Sequence, residues 1–320
     1  MRIRILAAAA LMIAACAAHA QNYPVKPVRL VVPFAPGGSS EIIARSVAQR
    51  LSENTGQQFV VENRPGGAGN IAMQEVARAE PDGYTLMLGH VGTLAMNPAM
   101  FAKLPYDPNR DFAPVSLIAI VPNIFVVNAS LPVKNLAEFI ALAQAQPGSI
   151  NYGSAGNGSA GHLAFEYLKM VTKVELVHVP YRGTGPMLTD LLGGQTQATS
   201  AGTPPLLPHI KSGKLRAFAV GTPQRVSSLP DVPTVAEQGY PGFETSQWYG
   251  IIVPAKTPDA IIKKLSAEIA KAVKSPEVLA RYHDDGTVAV GSTPSEFAEF
   301  IRKEQARWGE VVRKAGVKAE

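Results

Sequence analysis

The chain has 320 residues, a formal charge of +5 and only 17% charged residues. So mild a positive balance, without a dense Lys/Arg stripe, argues against nucleic acid as a partner, and the low charge content suits large buried α/β sheets. Cys16 is the single cysteine, so a mature form without it has no disulfide, thiol metal site or cysteine nucleophile.

Residues 1–20 read as a signal peptide. Arg2 and Arg4 form a basic start, an apolar run follows from Ile5 to Ala15, and Ala18-His19-Ala20 is a cleavage signal. The run is too short to span a bilayer. Cleavage would leave Gln21 first and lower the formal charge from +5 to +3. A competing reading takes Ile13-Ala14-Ala15-Cys16 as a lipoprotein signal that anchors the protein through Cys16; soluble release is preferred. No later segment has the length or apolarity of a membrane helix.

Residues 29–34, 58–62 and 84–89 read as short strands. Between the first two, Ile43, Val47 and Leu51 put one apolar face on a helix that Gly56 would stop. Residues 71–79 fill the next connection, which implies parallel βαβ units. Residues 112–118 and 123–128 are a fourth and a fifth strand. The order then repeats with strands at 150–153, 175–180, 196–201 and 215–220, and a return strand at 249–253. Leu163, Tyr167 and Val171 mark one helix of this second set. Met187, Leu188, Leu191 and Leu192 mark another, which Gly193-Gly194 ends. The pattern predicts an α/β fold of two similar lobes. Lobe 1 is residues 21–120 plus 249–320, lobe 2 is residues 121–248, and the crossings fall near 119–124 and 221–249. The C-terminal part reads as scaffold helices, one opened by Thr257-Pro258 and one by the capping box Thr293-Pro294-Ser295-Glu296.

The same motif opens both lobes. Phe34-Ala35-Pro36-Gly37-Gly38-Ser39-Ser40 leaves the first strand and enters a helix, and Ser154-Ala155-Gly156-Asn157-Gly158-Ser159 does so in the second lobe. Each turn lies at the carboxyl end of a strand, where open sheets bind ligands. Free N–H groups at a helix start favour an anion, and Ser39, Ser40, Ser154 and Ser159 add hydroxyls. One such turn alone is most simply a connection; two at matching positions predict a clamp on a small anion.

The third turns carry His90, Thr93 and Ser200, which either complete the cleft wall or belong to ordinary connections. Arg64 and Arg182 follow the second strands, where a guanidinium pairs with a ligand carboxylate or with a protein acid. Phe34 and Tyr181 offer ring faces to a ligand or pack at the core edge.

Enzyme signatures are weak. The first loop lacks G-x-G-x-x-G spacing. Gly153-Ser154-Ala155-Gly156 is one residue short of G-x-S-x-G, which leaves a secreted serine hydrolase as the leading alternative. The histidines lack metal-site spacing, so neither a metal nor a cofactor is expected.

The ordered set Pro36-Gly37-Gly38, Glu62-Asn63-Arg64-Pro65-Gly66, Pro81-Asp82-Gly83-Tyr84-Thr85-Leu86, Leu104-Pro105-Tyr106-Asp107-Pro108, His178-Val179-Pro180-Tyr181-Arg182-Gly183 and Leu229-Pro230-Asp231-Val232-Pro233 spans the mature chain. In these segments it resembles the Bug-type extracytoplasmic solute receptors, the periplasmic binding components of tripartite tricarboxylate transporters. The resemblance implies a type II-like periplasmic-binding-protein fold that closes like a flytrap, without catalysis. It implies a monomer that takes a small organic anion: a mono- or dicarboxylate, an aromatic acid or an amino acid. It also implies membrane transporter subunits as partners, with presentation to a sensor kinase as another use. The carboxylate-holding loops map to Phe34 through Ser40 and Ser154 through Ser159. The first loop departs from the family pattern Pro-Gly-Gly-x-x-Asp, since Ser39-Ser40-Glu41 follows the glycines here. Glu41 either serves its own helix end or leans toward the ligand, binding an ammonium or repelling a second carboxylate.

Overall fold

β-branched runs alternate with amphipathic helices, and in each half of the chain crossover helices join three strands that run parallel to one another. The computed structural model describes residues 23–318; the signal-peptide and Cys16 readings lie outside the described residues. β1 (Val28–Val32), α1 (Ser39–Thr55), β2 (Phe59–Asn63), α2 (Asn70–Ala77) and β3 (Thr85–His90) come first. β1 pairs in parallel with both β2 and β3, which requires a crossover helix in each connection. α1 buries Ile43, Val47 and Leu51 and stops at Gly56, whose φ of 72° is left-handed.

A π-turn at Gly92–Met96 and the short α3 (Asn97–Met100) lead to β4 (Phe112–Asn128). Two separate strands were expected here, and the structure has one of 17 residues. Up to Pro122 it pairs with β9 (Ser246–Pro254), and from Asn123 with β7 (Ala198–Gly202) and β8 (Leu215–Val220). Pro122 has no N–H to donate, and it falls at the change of partners, where a missing ladder bond is tolerated. The strand therefore continues where its sequence looks broken.

The second half adds α4 (Leu136–Ala145), β5 (Asn151–Ser154), α5 (Ala160–Thr172), β6 (Val177–Pro180), α6 (Thr184–Leu192) and α7 (Thr203–Lys211). β5 pairs in parallel with β6 and β7. The sheet order is β2-β1-β3-β9-β4-β7-β5-β6, with β8 and β10 (Val288–Ala289) also on β4. Each half is thus a parallel trio joined to the other through the long antiparallel pair β4 and β9. This is a mainly parallel, helix-flanked α/β architecture in two halves.

α8 (Asp259–Val273), α9 (Pro276–Asp285) and α10 (Pro294–Ala315) cover the first half. Pro258, not Thr257, is the N-cap of α8, whereas the Thr293/Glu296 capping box opens α10 in full. One face of the first half packs Ile43, Leu51, Ile262 and Leu265. The other packs Met96, Phe297 and Trp308, and takes in Ala160 and Leu163 of α5. The start of α5 is therefore buried against the opposite half. Phe125, Phe139, Phe165 and Phe218 form the core of the second half. Among the described residues no helix is long and apolar enough to cross a membrane.

Candidate functional site

Strands β1, β3, β5, β6 and β7 all end at the gap between the halves, so the turns that follow them meet there. An inner cavity lies between them. The first half supplies Phe34, Ser40 and His90, and β9 supplies Gln247 and Tyr249. The second half supplies Ala155, Ser159, Ala160, Gly161, Thr184, Ser200 and Ala201. Its enclosed space is about 20 Å³, room for about one water. Ser40, Ala160 and Thr184 stand in the first turns of α1, α5 and α6. Three helix starts therefore bring N–H groups without intrahelical acceptors, and three positive dipole ends, to one point.

The inner cavity has no charged side chain. His90 Nδ1 accepts the Gly92 N–H at 2.9 Å, and burial pushes the imidazole pKa down to about 3, against a smaller opposing contact with the Gln247 amide. The ring is neutral and carries its proton on Nε2, so it is an N–H donor. Phe34 meets it edge-on at 5.1 Å and Tyr249 packs at 5.3 Å. The Tyr249 hydroxyl donates to Gln247 Oε1, and Gln247 Nε2 donates to Asn123 Oδ1 at 2.9 Å. Ser200 Oγ is the unused group: it lines the cavity, is buried, and has no hydrogen-bond partner. A buried hydroxyl without a partner costs about 1–3 kcal/mol.

Several predicted residues stand behind the wall. Thr93 Oγ1 donates to the His90 carbonyl at 3.1 Å and so braces the end of β3. Ser154 is fully buried and lines neither cavity. Its Oγ donates to the Gly156 carbonyl at 3.1 Å, accepts the Gly156 N–H at 3.1 Å, and lies 2.7 Å from His178 Nε2. His178 stacks between His162 at 4.1 Å and Tyr152 at 4.9 Å. Burial, then the neighbouring His162 and Lys169, lower its pKa to about 3. This serine–histidine pair shapes the loop. Among the described residues no carboxylate hydrogen-bonds to His178, and Ser154 is set behind Ala155, which lines both cavities. Gly156 and Gly158 hold φ of 120° and 72°, which only glycine adopts freely.

The turn Ala35–Gly38 is spent on contact between the halves. Ala35 N–H donates to the Arg182 carbonyl at 3.1 Å. A Cβ on Gly185 would come within 2.3 Å of the Pro36 carbonyl oxygen, and one on Gly37 within 3.0 Å of Gly185 Cα. Ser39 lies likewise against Gly202, where a Cβ would meet its Oγ at 2.4 Å. Glu41 folds back onto its own loop, accepting the Gly37 N–H at 2.7 Å and pairing with Arg45 at 2.7 Å. Burial alone would raise its pKa, but the Gly37 N–H and Arg45 hold it below the usual carboxylate value.

An outer cavity of about 490 Å³ adjoins the inner one, with Phe34 and Ala155 common to both. Gly66–Gly69, Gly156, Asn157, Tyr181, Arg182 and three prolines (33, 180 and 186) complete its wall. Arg64 does not take part, because it pairs with Glu62 at 2.5 Å and Glu75 at 3.6 Å. The Tyr181 hydroxyl donates to Asp190 at 2.8 Å.

Of the predicted residues, Phe34, Ser40, His90, Ala155, Ser159 and Ser200 thus line the inner cavity. Gly156, Asn157, Tyr181 and Arg182 line the outer one. Ala35 through Ser39, Thr93, Ser154 and Gly158 lie in neither. Thr184, Gln247 and Tyr249 were missed. Thr184 has a visible signal, two residues after Arg182 at a helix start. Gln247 and Tyr249 sit inside an apolar strand with no turn to mark them. Among the described residues no group of three His, Cys, Asp or Glu is placed to hold a metal ion.

The family model of the tripartite tricarboxylate transporter family receptor matches residues 43–317. The chain is 37% identical to protein BugT of Bordetella pertussis over 320 residues, 98% of each chain. Among solved structures it is similar to R. palustris Rpa4515 with adipate, at 40% identity and a TM-score of 0.90 over 92% of this chain and 99% of that one. It is similar also to MatC from Rhodopseudomonas palustris with bound malate, at 35% identity and a TM-score of 0.87 over 91% and 100%. The chain belongs to the tripartite tricarboxylate transporter receptor family, whose members are periplasmic solute-binding proteins, also called Bug receptors.

Proposed function

We propose that this receptor captures a small organic carboxylate in the inner cavity, closes on it, and delivers it to a tripartite membrane transporter. The observation that carries the reading is Ser200 Oγ, a buried hydroxyl with no partner in a cavity lined by neutral donors from both halves. A carboxylate is an acceptor-only guest with about four lone-pair sites. It satisfies Ser200, meets the neutral His90 N–H, and receives N–H groups at the starts of α1, α5 and α6. With no cation in the inner cavity, the anion is held by hydrogen bonds and helix ends alone. Donors from both halves make binding stronger in the closed form, so the ligand shifts the population toward closure. The adipate and malate bound by two relatives support an organic acid as the guest. The leader at residues 1–20 fits export to the periplasm, and no step of this reading calls for catalysis, a metal or a cofactor.

The test is a thermal-shift screen of the mature protein against mono- and dicarboxylates, aromatic acids and amino acids. An acid present at 100 times its Kd is expected to stabilise the fold by about 3 kcal/mol and to be recovered unchanged. Stabilisation by none of them, in a protein that unfolds cooperatively, overturns the carboxylate assignment. Turnover of an ester that disappears in Ser154→Ala would replace the receptor reading with a hydrolase.

A further inference from the structure

We infer that His162 is a positioning residue for the guest's carboxylate: its ring takes the loop N–H that a glutamate takes at other helix starts of this chain, and so holds the second loop without setting a carboxylate behind the cavity. The inference rests on the carboxylate reading of the inner cavity and adds to it a residue that lines neither cavity.

The second loop spends its N–H groups in order. Ser159 N–H donates to the Gly156 carbonyl at 3.1 Å, His162 N–H to Ser159 Oγ at 3.3 Å, and Gly158 N–H to His162 Nδ1 at 3.2 Å. Between 158 and 162 that leaves the N–H groups of Ala160 and Gly161, the first two of α5, without an intrahelical acceptor. Both residues line the inner cavity. The reciprocal clasp of Ser159 and His162 therefore fixes where the two free donors point. It also fixes Gly158, whose carbonyl oxygen a Cβ on Gly92 of the first half would meet at 2.6 Å.

α1 and α4 begin with the same clasp. Glu41 accepts the Gly37 N–H at 2.7 Å and Glu138 the Lys134 N–H at 2.8 Å, each four residues back, as Gly158 is from His162. A carboxylate in that position answers the helix dipole. At the wall of an anion site the same charge opposes the guest. α1 offsets it with Arg45, four residues on, which pairs with Glu41 at 2.7 Å. In α5 the residue four on from His162 is Glu166, already held by Lys169 at 2.8 Å and by the Tyr152 hydroxyl at 2.6 Å. A carboxylate at 162 would have no cation to balance it there. The imidazole supplies the acceptor without the charge. Because Nδ1 accepts, its proton is on Nε2. Burial lowers its pKa to about 4, with Glu166 opposing and Lys169 adding to the shift. His178 of β6 stacks on the ring at 4.1 Å, and Tyr152 of β5 stacks on His178.

The experiment measures affinity by calorimetry for succinate, malate, adipate, benzoate and glutamate in wild type, His162→Asn, His162→Asp and His162→Phe, with a denaturant melt of each. Asn and Asp carry an oxygen where Nδ1 stands and differ from each other in charge. Phe keeps the ring and the stack but has no acceptor. Asn loses stability through the lost stack and Phe through an unpaired Gly158 N–H, so a merely structural role would weaken binding in both alike. For the best-bound acid, Asn is expected to stay within about threefold of wild type, and Phe to fall about tenfold or more. Asp is expected to bind about tenfold or more below Asn at pH 8, with a smaller gap at pH 6, where a proton on the new carboxylate or on His178 cancels the charge. Equal affinity in Asn and Phe, or in Asn and Asp at pH 8, overturns the assignment and leaves the carboxylate reading standing. If the Asp variant does not fold, the comparison of Asn with Phe decides alone. If none of the five acids binds wild type, the carboxylate reading falls and the role of His162 with it.

Discussion

Ser200 separates binding from stability more cleanly than any other side chain in the site. Its hydroxyl is buried and unpartnered, so the empty protein gains nothing from it. Ser200→Ala is expected to leave the unfolding free energy of the empty protein unchanged or to raise it by about 1 kcal/mol, and to weaken the ligand about tenfold. Denaturant melts and a titration on the same sample check both. A clear loss of stability without ligand would mean that Ser200 braces the fold instead. His90 makes the opposite statement about pH. Its folded pKa of about 3 lies below the ordinary 6.5, so the unfolded chain binds the extra proton first. The stability that depends on its neutrality is complete above about pH 6.5 and is lost as pH falls toward 3. By pH 5 the loss from one such histidine is about 2 kcal/mol. Its ring protons should show no titration between pH 8 and 5, which NMR reads directly. Position pointed to both, but as residues of the turns after the third strands, whereas His90 is the last residue of β3 and Ser200 lies within β7. The absence of a partner on Ser200 and the choice of protonated nitrogen on His90 are properties of packing, and no sequence pattern carries them.

At the scale of elements, the glycine turns do two different jobs that look alike in sequence. In the second loop, Ala155, Ser159 and the start of α5 line the inner cavity. In the first, Ala35 through Gly38 pack against Gly183–Gly185, and only Phe34 and Ser40 at its ends reach the cavity. Glycines that seem made for a ligand are there so that two backbones can touch. Gly185→Ala tests this, since its Cβ would come within 2.3 Å of the Pro36 carbonyl. The contact is between the halves, so the unfolding midpoint should change little. The closed form should become inaccessible, costing at least about tenfold in affinity, or 1.4 kcal/mol. Small-angle scattering with saturating acid should show no compaction of the variant where wild type compacts. Unimpaired closure would mean that the two loops slide past each other. The elements themselves were readable wherever side-chain period sets them, as on α1 and α10. They were misread where the chain changes partners, since the period of β4 runs on through Pro122. The α9 helix and the two-residue β10 went unseen because each owes its form to what it packs on.

For the whole molecule, the question is whether the two halves respond to the acid as one. They are joined by β4, which pairs with β9 up to Pro122 and with β7 and β8 beyond it, and by the bond from Gln247 to Asn123 at that junction. Gln247 also lines the inner cavity and accepts from Tyr249, so a ligand there touches the strands that connect the halves. The alternation of strands and helices was enough to foresee two similar halves. That a residue of the return strand ties the cavity to the junction depends on register, because a shift of one residue would turn Gln247 to the other face. This arrangement has a consequence for hydrogen exchange. An acid that binds to both halves should slow exchange in the first loop at 34–41, the second loop at 155–161 and the contact segment at 182–185 with the same dependence on concentration. Strand amides of β3 and β5 are already deep in the sheet and should change little. A midpoint for the first loop well apart from that of the second would describe capture by one half with closure as a separate event. A common midpoint means that the acid is held only by the closed pair of halves, as donors divided between them require.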